Sequence, residues 1–106
     1  MEKEKDSVSV EIVNRYFEAV SRLRSDGCIR GLQTITRRYG LNRWNVIYLR
    51  DNPEECVGRF RPSWLSYLVR DYHVSPYWLL LGSGDFYAAG FSPEIIKKLN
   101  ENCTEK

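Results

Sequence analysis

The residues with the most distinctive chemistry in this chain are arginines and aromatics, and they occur together in residues 37–50. That segment, RRYGLNRWNVIYLR, carries four arginines together with Trp44, Ile47 and Tyr48. Guanidinium groups make two-pronged contacts with phosphate and with guanine, and apolar side chains can contact the methyl group of thymine. This combination of residue types is typical of a surface that binds nucleic acid.

The charge of the whole chain hides an arginine-rich centre. The formal net charge is only +2. Residues 22–70, however, contain ten arginines, four carboxylates and no lysine, and the segments on either side of them are mildly acidic. A basic centre between acidic ends favours a binding face for a polyanion. A solvated arginine-rich surface with paired acids would give the same pattern, so charge alone leaves that alternative open.

Residues suited to catalysis or metal binding are few and scattered. His73 is the only histidine, and the three cysteines include no CxxC pair. Glu54 and Glu55 are neighbours that would point in different directions, so they do not make an acid–base pair. The stretch GSGDF is too short for a phosphate-binding glycine motif and has no lysine after it. We therefore expect no enzyme activity, no metal and no cofactor.

The sequence also gives an expectation about location. No apolar run approaches the roughly 20 residues that cross a bilayer, and the first residues, MEKEKD, are unlike a signal peptide. An odd number of cysteines fits a reduced chain without a disulfide framework. The sequence thus predicts a cytoplasmic protein that does not associate with membranes.

Apolar residues spaced three and four apart predict an all-α chain. Residues 52–61 read as a loop, because Pro53 prevents easy continuation of the helix before it. The predicted helices run from Ser7 or Ser9 to about Gly27, over about 32–39, over about 43–51, from Pro62 or Ser63 to the YHV stretch, from a Ser75 cap to Gly82, and over about 93–102.

The third of these helices has two faces of opposite character. At 100° per residue, Val46 and Leu49 lie within about 60° of each other and form the core face. Trp44, Tyr48 and Asp51 lie at the centre of the opposite face, flanked by Arg43 and Ile47, and the exposed aromatic groups there indicate an interface. The alternative, that these two aromatic side chains pack beneath residues 52–61 or against the acidic tail, stays open at this point.

Two segments resemble lambda-repressor-like domains of the XRE/Cro type. In YGLNRWNV, residues 39–46, two short helices are joined by Gly-Leu-Asn, which is a helix-turn-helix arrangement. The segment PSWLSYLVRDYHVSPYWLLLG, residues 62–82, has the order and spacing of the fourth and fifth helices of that family. The resemblance implies a five-helix domain over residues 7–87, followed by an extra C-terminal helix and tail over residues 88–106.

This resemblance implies a transcriptional regulator of the phage-repressor type that binds double-stranded DNA sequence-specifically. The helix at about 43–51 would enter the major groove, and a homodimer would place two such helices on half-sites about 34 Å apart. The implied base contacts are Arg43, Trp44, Ile47 and Tyr48.

Six further residues are candidate contacts to the DNA backbone. Asn42 is foremost a cap for the third helix and is secondarily placed to reach a phosphate. Phe60 lies between two of the arginines, and we expect its ring to cover the core. The candidates are Gln33, Thr34, Arg38, Asn42, Arg59 and Arg61.

Two other functions stay open. The face of Trp44 and Tyr48 would also suit a module that docks another protein, or a module that binds single-stranded nucleic acid by stacking. We expect Trp64 and Trp78 to be structural. The tail has an apolar stripe that either supplies a dimer contact or folds back as core, and its members are Phe91, Ile95, Ile96 and Leu99.

Overall fold

The computed structural model describes residues 7–101, and within this range the chain is helical, as predicted. No strand is assigned there, and a single isolated antiparallel bridge joins Val74 to Tyr87. None of the helices in this range is long and apolar enough to cross a membrane. The helices are α1 Ser7–Ser25, α2 Leu32–Tyr39, α3 Arg43–Asp51, α4 Pro53–Cys56, α5 Pro62–Tyr72, α6 Pro76–Leu81 and α7 Pro93–Asn100.

The prediction of a loop over residues 52–61 was wrong for most of that segment. Helix α4 starts at Pro53, directly after α3, and a 3₁₀ turn, Val57–Arg59, follows it. Proline lacks an N–H group, but the first turn of a helix leaves its N–H groups unpaired in any case. Glu54 and Glu55 in that first turn interact favourably with the helix dipole. Pro53 therefore begins a helix as well as preventing the previous one from continuing.

The caps explain where α3 begins. Gly40 ends α2 in the left-handed conformation, with φ of 67°, and its N–H donates to the carbonyl of Thr36. Asn42 then caps α3 as predicted, because its Oδ1 accepts the Asn45 N–H at 3.0 Å. Ser75 occupies the N-cap position of α6 but makes no side-chain capping hydrogen bond, contrary to expectation. Helix α7 ends at Asn100, and residue 102 of its predicted span lies outside the described residues.

The core is built around α1, which packs against α3, α4 and α6. Tyr16 is completely buried and meets Phe60 edge-on, with ring centroids 5.2 Å apart, while Trp64 closes the same cluster. Phe60 and Trp64 thus have the structural roles predicted for them. Each fully buried aliphatic side chain stabilises the fold by roughly 1.5–3 kcal/mol. The largest of these are Leu23, Ile35, Leu49, Leu68, Leu79 and Ile96.

The chain after α6 packs on this same core. Phe86 is buried, and Trp78 meets it edge-on with centroids 4.8 Å apart. Two backbone hydrogen bonds, from Ser75 N–H to the Phe86 carbonyl and from Ala88 N–H to the His73 carbonyl, are each 2.8 Å long. Of the predicted apolar stripe, the tail buries Ile96 completely, half-buries Phe91 and leaves Ile95 and Leu99 exposed.

Candidate functional site

The face of α3 that points away from the core carries large aromatic side chains. Val46 and Leu49 are each 1% exposed, whereas Trp44 is 73% exposed and Tyr48 is 50% exposed. The two-faced helix predicted from periodicity is confirmed, and the alternative that these aromatics pack beneath residues 52–61 is wrong. Exposed indole and phenol rings do not gain the free energy that burial of apolar surface provides. A face of this kind indicates a surface that a binding partner covers.

Two more predicted contact residues flank this aromatic face. The guanidinium carbon of Arg43 lies 5.9 Å from the ring centroid of Trp44, close enough for a cation–π contact. Arg43 is exposed, and no acidic side chain within residues 7–101 forms an ion pair with it. Ile47 is half-buried at the edge of the face. The four residues Arg43, Trp44, Ile47 and Tyr48 are called the α3 face below.

A groove lies on one side of α3, between the start of that helix and the segment that leads into α5. Its volume is about 460 Å³, and its rim carries Asn42, Asn45, Arg59 and Arg61. Both arginines are exposed and have no acidic partner in the described part of the chain. Gly58 also lines the groove, and the space beside its Cα is open. We call this depression the Arg59 groove.

The Arg59 groove brings together three of the six predicted backbone contacts. These are Asn42, Arg59 and Arg61, which come from two different segments of the chain. Asn45 is a further exposed polar residue on its rim that sequence reasoning missed. The helical angle of Asn45, between the aromatic face and the core face, would have been enough to find it.

A second groove, which lies among α1, α2 and α3, was not predicted. It has a volume of about 240 Å³ and is lined by Arg24, Arg50, Ser21 and Leu32, together with Phe17 and Val20. Because Arg50 and Asn45 project from different flanks of α3, this groove and the Arg59 groove lie on different sides of the helix. We call it the Arg50 groove. The predicted segment 37–50 contained Arg50, but nothing in the sequence pairs it with Arg24.

The charge on Arg50 is only weakly neutralised. Its Nε lies 3.1 Å from Oδ1 of Asp51, and both side chains are about half exposed, at 46% and 57%. An exposed pair of this kind contributes roughly 0–1 kcal/mol and exchanges readily with solvent or another anion. Arg24 is exposed and has no ion-pair partner among residues 7–101.

Thr34 does not have the position predicted for a backbone contact. Its side chain is buried, with 7% exposure, and Oγ1 accepts the Arg30 N–H at 3.1 Å. The hydroxyl therefore stabilises the turn before α2, and this corrects the prediction. Gln33, the neighbouring candidate, is half-buried with its amide over Gly31, so its contact to the DNA backbone stays a prediction.

Arg38 also departs from the predicted role, because its guanidinium group points into the protein. Its Nη1 donates to Tyr72 Oη and to Asn100 Oδ1, each at 2.9 Å, and its Nη2 lies 3.7 Å from Asp71 Oδ2. The side chain is only 21% exposed. A phosphate contact would require these partners to be given up, which corrects the prediction for Arg38.

Asp71 is the anion at the centre of that cluster. Hydrogen bonds from Arg70 lower the pKa of its carboxyl group below the ordinary value, and the Tyr39 hydroxyl and Arg38 act in the same direction against the effect of burial. The pKa of Tyr39 is raised by burial and by its hydrogen bond to Asp71. Within residues 7–101, no group of three His, Cys, Asp or Glu side chains could hold a metal ion.

No protein-family model matches the chain, and no curated protein or solved structure matches it at a significant level. What the chain binds is therefore inferred from the chemistry of the α3 face and its two flanking grooves.

Proposed function

We propose that this protein binds double-stranded DNA sequence-specifically, as a transcriptional regulator of the phage-repressor type, with α3 in the major groove. The observation that carries the proposal is the position of the α3 face between two arginine-lined grooves. The lambda-repressor-like fold belongs to the same proposal. Its support is the three-residue Gly-Leu-Asn connection between α2 and α3 and the order of the helices that follow.

The shape of duplex DNA explains why grooves on two sides matter. The major groove of B-DNA is about 12 Å wide and admits one α-helix, with a phosphate backbone on each side of it. Arg59 and Arg61 would meet one backbone, and Arg24 and Arg50 would meet the other. Asp51 would lose its contact with Arg50 at little cost, because that pair is exposed.

The α3 face supplies the groups that would read sequence. Arg43 would make a two-pronged contact to O6 and N7 of guanine, and its guanidinium carbon lies 5.9 Å from the centre of the Trp44 ring. Trp44, Ile47 and Tyr48 would contact thymine methyl groups, which covers the apolar surface that is exposed in the free protein. Asn45, on the rim of the Arg59 groove, is the residue type that pairs with adenine.

A homodimer is part of the proposal, because a nine-residue helix reads only a short half-site. Two copies bound to half-sites about 34 Å apart would present α3 to the same face of the duplex. Exposed apolar side chains outside α3 that are available for a contact between copies include Tyr77, Leu80 and Leu81 on α6 and Ile95 and Leu99 on α7.

The proposal is tested by titrating labelled mixed-sequence duplex at several salt concentrations, after selecting preferred sequences from a random duplex pool. Binding should weaken with salt along a log–log slope of about −0.9 for each neutralised phosphate. The variant Arg59→Ala/Arg61→Ala should make that slope shallower by about 1.8. Lys98→Ala removes an exposed cation that lines neither groove and should leave the slope unchanged.

A protein-interaction module is the second candidate, and the exposure of Trp44 and Tyr48 is the observation that favours it. That function predicts no binding to mixed-sequence duplex even at low salt. It also predicts that the double arginine variant is indistinguishable from the unmodified protein.

A further inference from the structure

The C-terminal helix α7 is joined to the helix-turn-helix pair by the side chain of Asn100. Its Oδ1 accepts from Nη1 of Arg38 at 2.9 Å, and its Nδ2 donates to the carbonyls of Asp71 and Ile96, also at 2.9 Å. Both N–H donors of the amide and one lone pair of Oδ1 are therefore used. Ile96, one turn earlier on α7, is completely buried and anchors the helix to the core.

Arg38 is the other half of this connection. It lies at the end of α2 and bonds at once to Tyr72 on α5 and to Asn100 on α7. Its guanidinium carbon also lies 5.4 Å from the ring centroid of Tyr39 and 5.3 Å from that of Tyr72. A guanidinium group whose Nη1 bonds to two other helices, and whose carbon lies near two aromatic rings, permits little rotation of α2.

The direction of α2 is passed to α3 over a very short connection. Gly40 follows α2 in the left-handed conformation, and the N–H groups of Gly40 and Leu41 both donate to the carbonyl of Thr36. Asn42 then caps α3. Because hydrogen bonds hold all three connecting residues, a rotation of α2 would rotate α3 as well.

We propose that Arg38 and Asn100 are positioning residues, through which α7 sets the angle at which α3 presents its aromatic face. The inference rests on the proposed function, in that the affected quantity is affinity for duplex DNA. Neither residue would contact DNA. Helix α7 thus controls recognition from outside the helix-turn-helix pair.

The test compares Asn100→Ala and Asn100→Asp with Lys98→Ala, a matched control on the same helix whose side chain is exposed. Asn100→Ala should weaken duplex binding about tenfold, a typical effect of uncoupling a packed network, at an unchanged salt slope. Asn100→Asp keeps an acceptor for Arg38 but replaces the two Nδ2 donations with contacts between oxygen atoms, so it should recover only part of the loss. Affinities are measured below the unfolding transition of each variant, as followed by circular dichroism.

A second variant, Arg38→Gln, distinguishes positioning from phosphate contact. Positioning predicts weaker binding with the salt slope unchanged, whereas a direct phosphate contact predicts a slope shallower by about 0.9. A slope change of that size would overturn the proposal. So would a folded Asn100→Ala protein with a lower melting temperature and unaltered affinity, because that result describes a purely structural bond.

An NMR measurement keeps this inference separate from the proposed function. Asn100→Ala, or Arg38→Gln if the first variant does not fold, should shift the Gly40 amide and the Trp44 indole N–H resonances, whereas Lys98→Ala should not. If the unmodified chain binds no duplex, the proposed function fails, and the shifts still decide whether α7 is coupled to α3. A folded variant with unshifted resonances overturns the coupling.

Discussion

Helices α3 and α5 carry the same dipeptide near their ends, and the two copies have different surroundings. In α3, Arg50 and Asp51 face solvent with their closest atoms 3.1 Å apart. In α5, Arg70 and Asp71 are 2.7 Å apart, and the Asp71 side chain is only 15% exposed, against 57% for Asp51. The dipeptide is the same, so the difference in role comes from the neighbours.

The neighbours complete one site and leave the other open. Arg38 and Tyr39 contact the carboxylate of Asp71, and Asn100 donates to the backbone carbonyl of the same residue. The end of α5 is therefore a closed polar cluster. Around Asp51 no such partners exist in the described residues, and Arg50 keeps most of its capacity to bind an anion. Arginines and tyrosines that bond to other residues of the chain stabilise the fold. Those that face solvent without such bonds are suited to contact a binding partner.

The largest effect should come from Asp71→Ala. It removes the carboxylate that accepts from the partly buried Tyr39 hydroxyl, and a hydrogen bond to a charged group contributes about 1.5–3 kcal/mol. The contact with Arg70 adds little to this, because the Arg70 side chain is exposed. We expect the free energy of unfolding to fall by about 3 kcal/mol, measured by urea denaturation. The matched variant Asp51→Ala should lose less than about 0.5 kcal/mol. Equal losses at the two positions would remove the distinction between the two helix ends.

A smaller effect, on affinity instead of stability, is expected for Trp44→Ala. Because the indole is exposed, the free energy of unfolding should change by no more than about 0.5 kcal/mol. The free energy of duplex binding should fall by about 1–3 kcal/mol, as for a lost base contact. Fluorescence anisotropy with the selected duplex measures the second quantity. A variant that binds normally would show that the α3 face is not the reading surface.

Removing an arginine from the Arg50 groove should have a smaller effect on duplex binding than Trp44→Ala. Arg24→Ala removes an exposed guanidinium group that has no ion-pair partner within residues 7–101. It should weaken all duplexes alike, by about 1 kcal/mol at low salt, with a slope shallower by about 0.9. Arg30→Ala, which changes an exposed arginine that lines neither groove, serves as the control. A loss confined to one DNA sequence would mean that Arg24 reads a base.

The smallest effect on the free energy of unfolding is expected when the pH is lowered from 7 to about 4. The pKa of Asp71 is lowered in the folded protein, so its carboxylate stabilises the fold at every pH above its unfolded value of about 3.9. That contribution is lost only as the pH falls through the lowered folded pKa. The difference in unfolding free energy between the unmodified protein and Asp71→Asn should therefore stay constant from pH 7 to about pH 4 and shrink below it. A decline that begins above about pH 5 would contradict the closed cluster.

Local patterns explain which features could be predicted from the sequence. The two faces of α3 follow from helical periodicity, and its start follows from Gly40 and Asn42, so both were predicted correctly. Helix α4 is local in origin too, but a proline both ends the helix before it and is favoured in the first turn of a new one, so Pro53 alone does not predict which follows. These features depend on residues a few positions apart.

Features that join distant residues could not be predicted in this way. The hydrogen-bond partners of the Arg38 side chain are 34 and 62 positions away, and no periodicity connects them. The Arg50 groove likewise depends on how α1 packs beside α3, which only the folded chain shows. In the sequence, Arg38 and Arg59 were equal candidates for a contact to the DNA backbone. In the folded chain Arg38 is bonded to Tyr72, whereas Arg59 lines a groove on the surface.

The contrast between the exposed indole of Trp44 and the other two tryptophans gives the molecule an intrinsic optical reporter. Trp64 is buried and Trp78 is half-buried against Phe86, so water reaches chiefly the ring on α3. Emission from that ring should lie at long wavelength and be quenched readily by dissolved acrylamide. Whatever covers α3 should move the emission towards the blue and shield it from the quencher, without any added label.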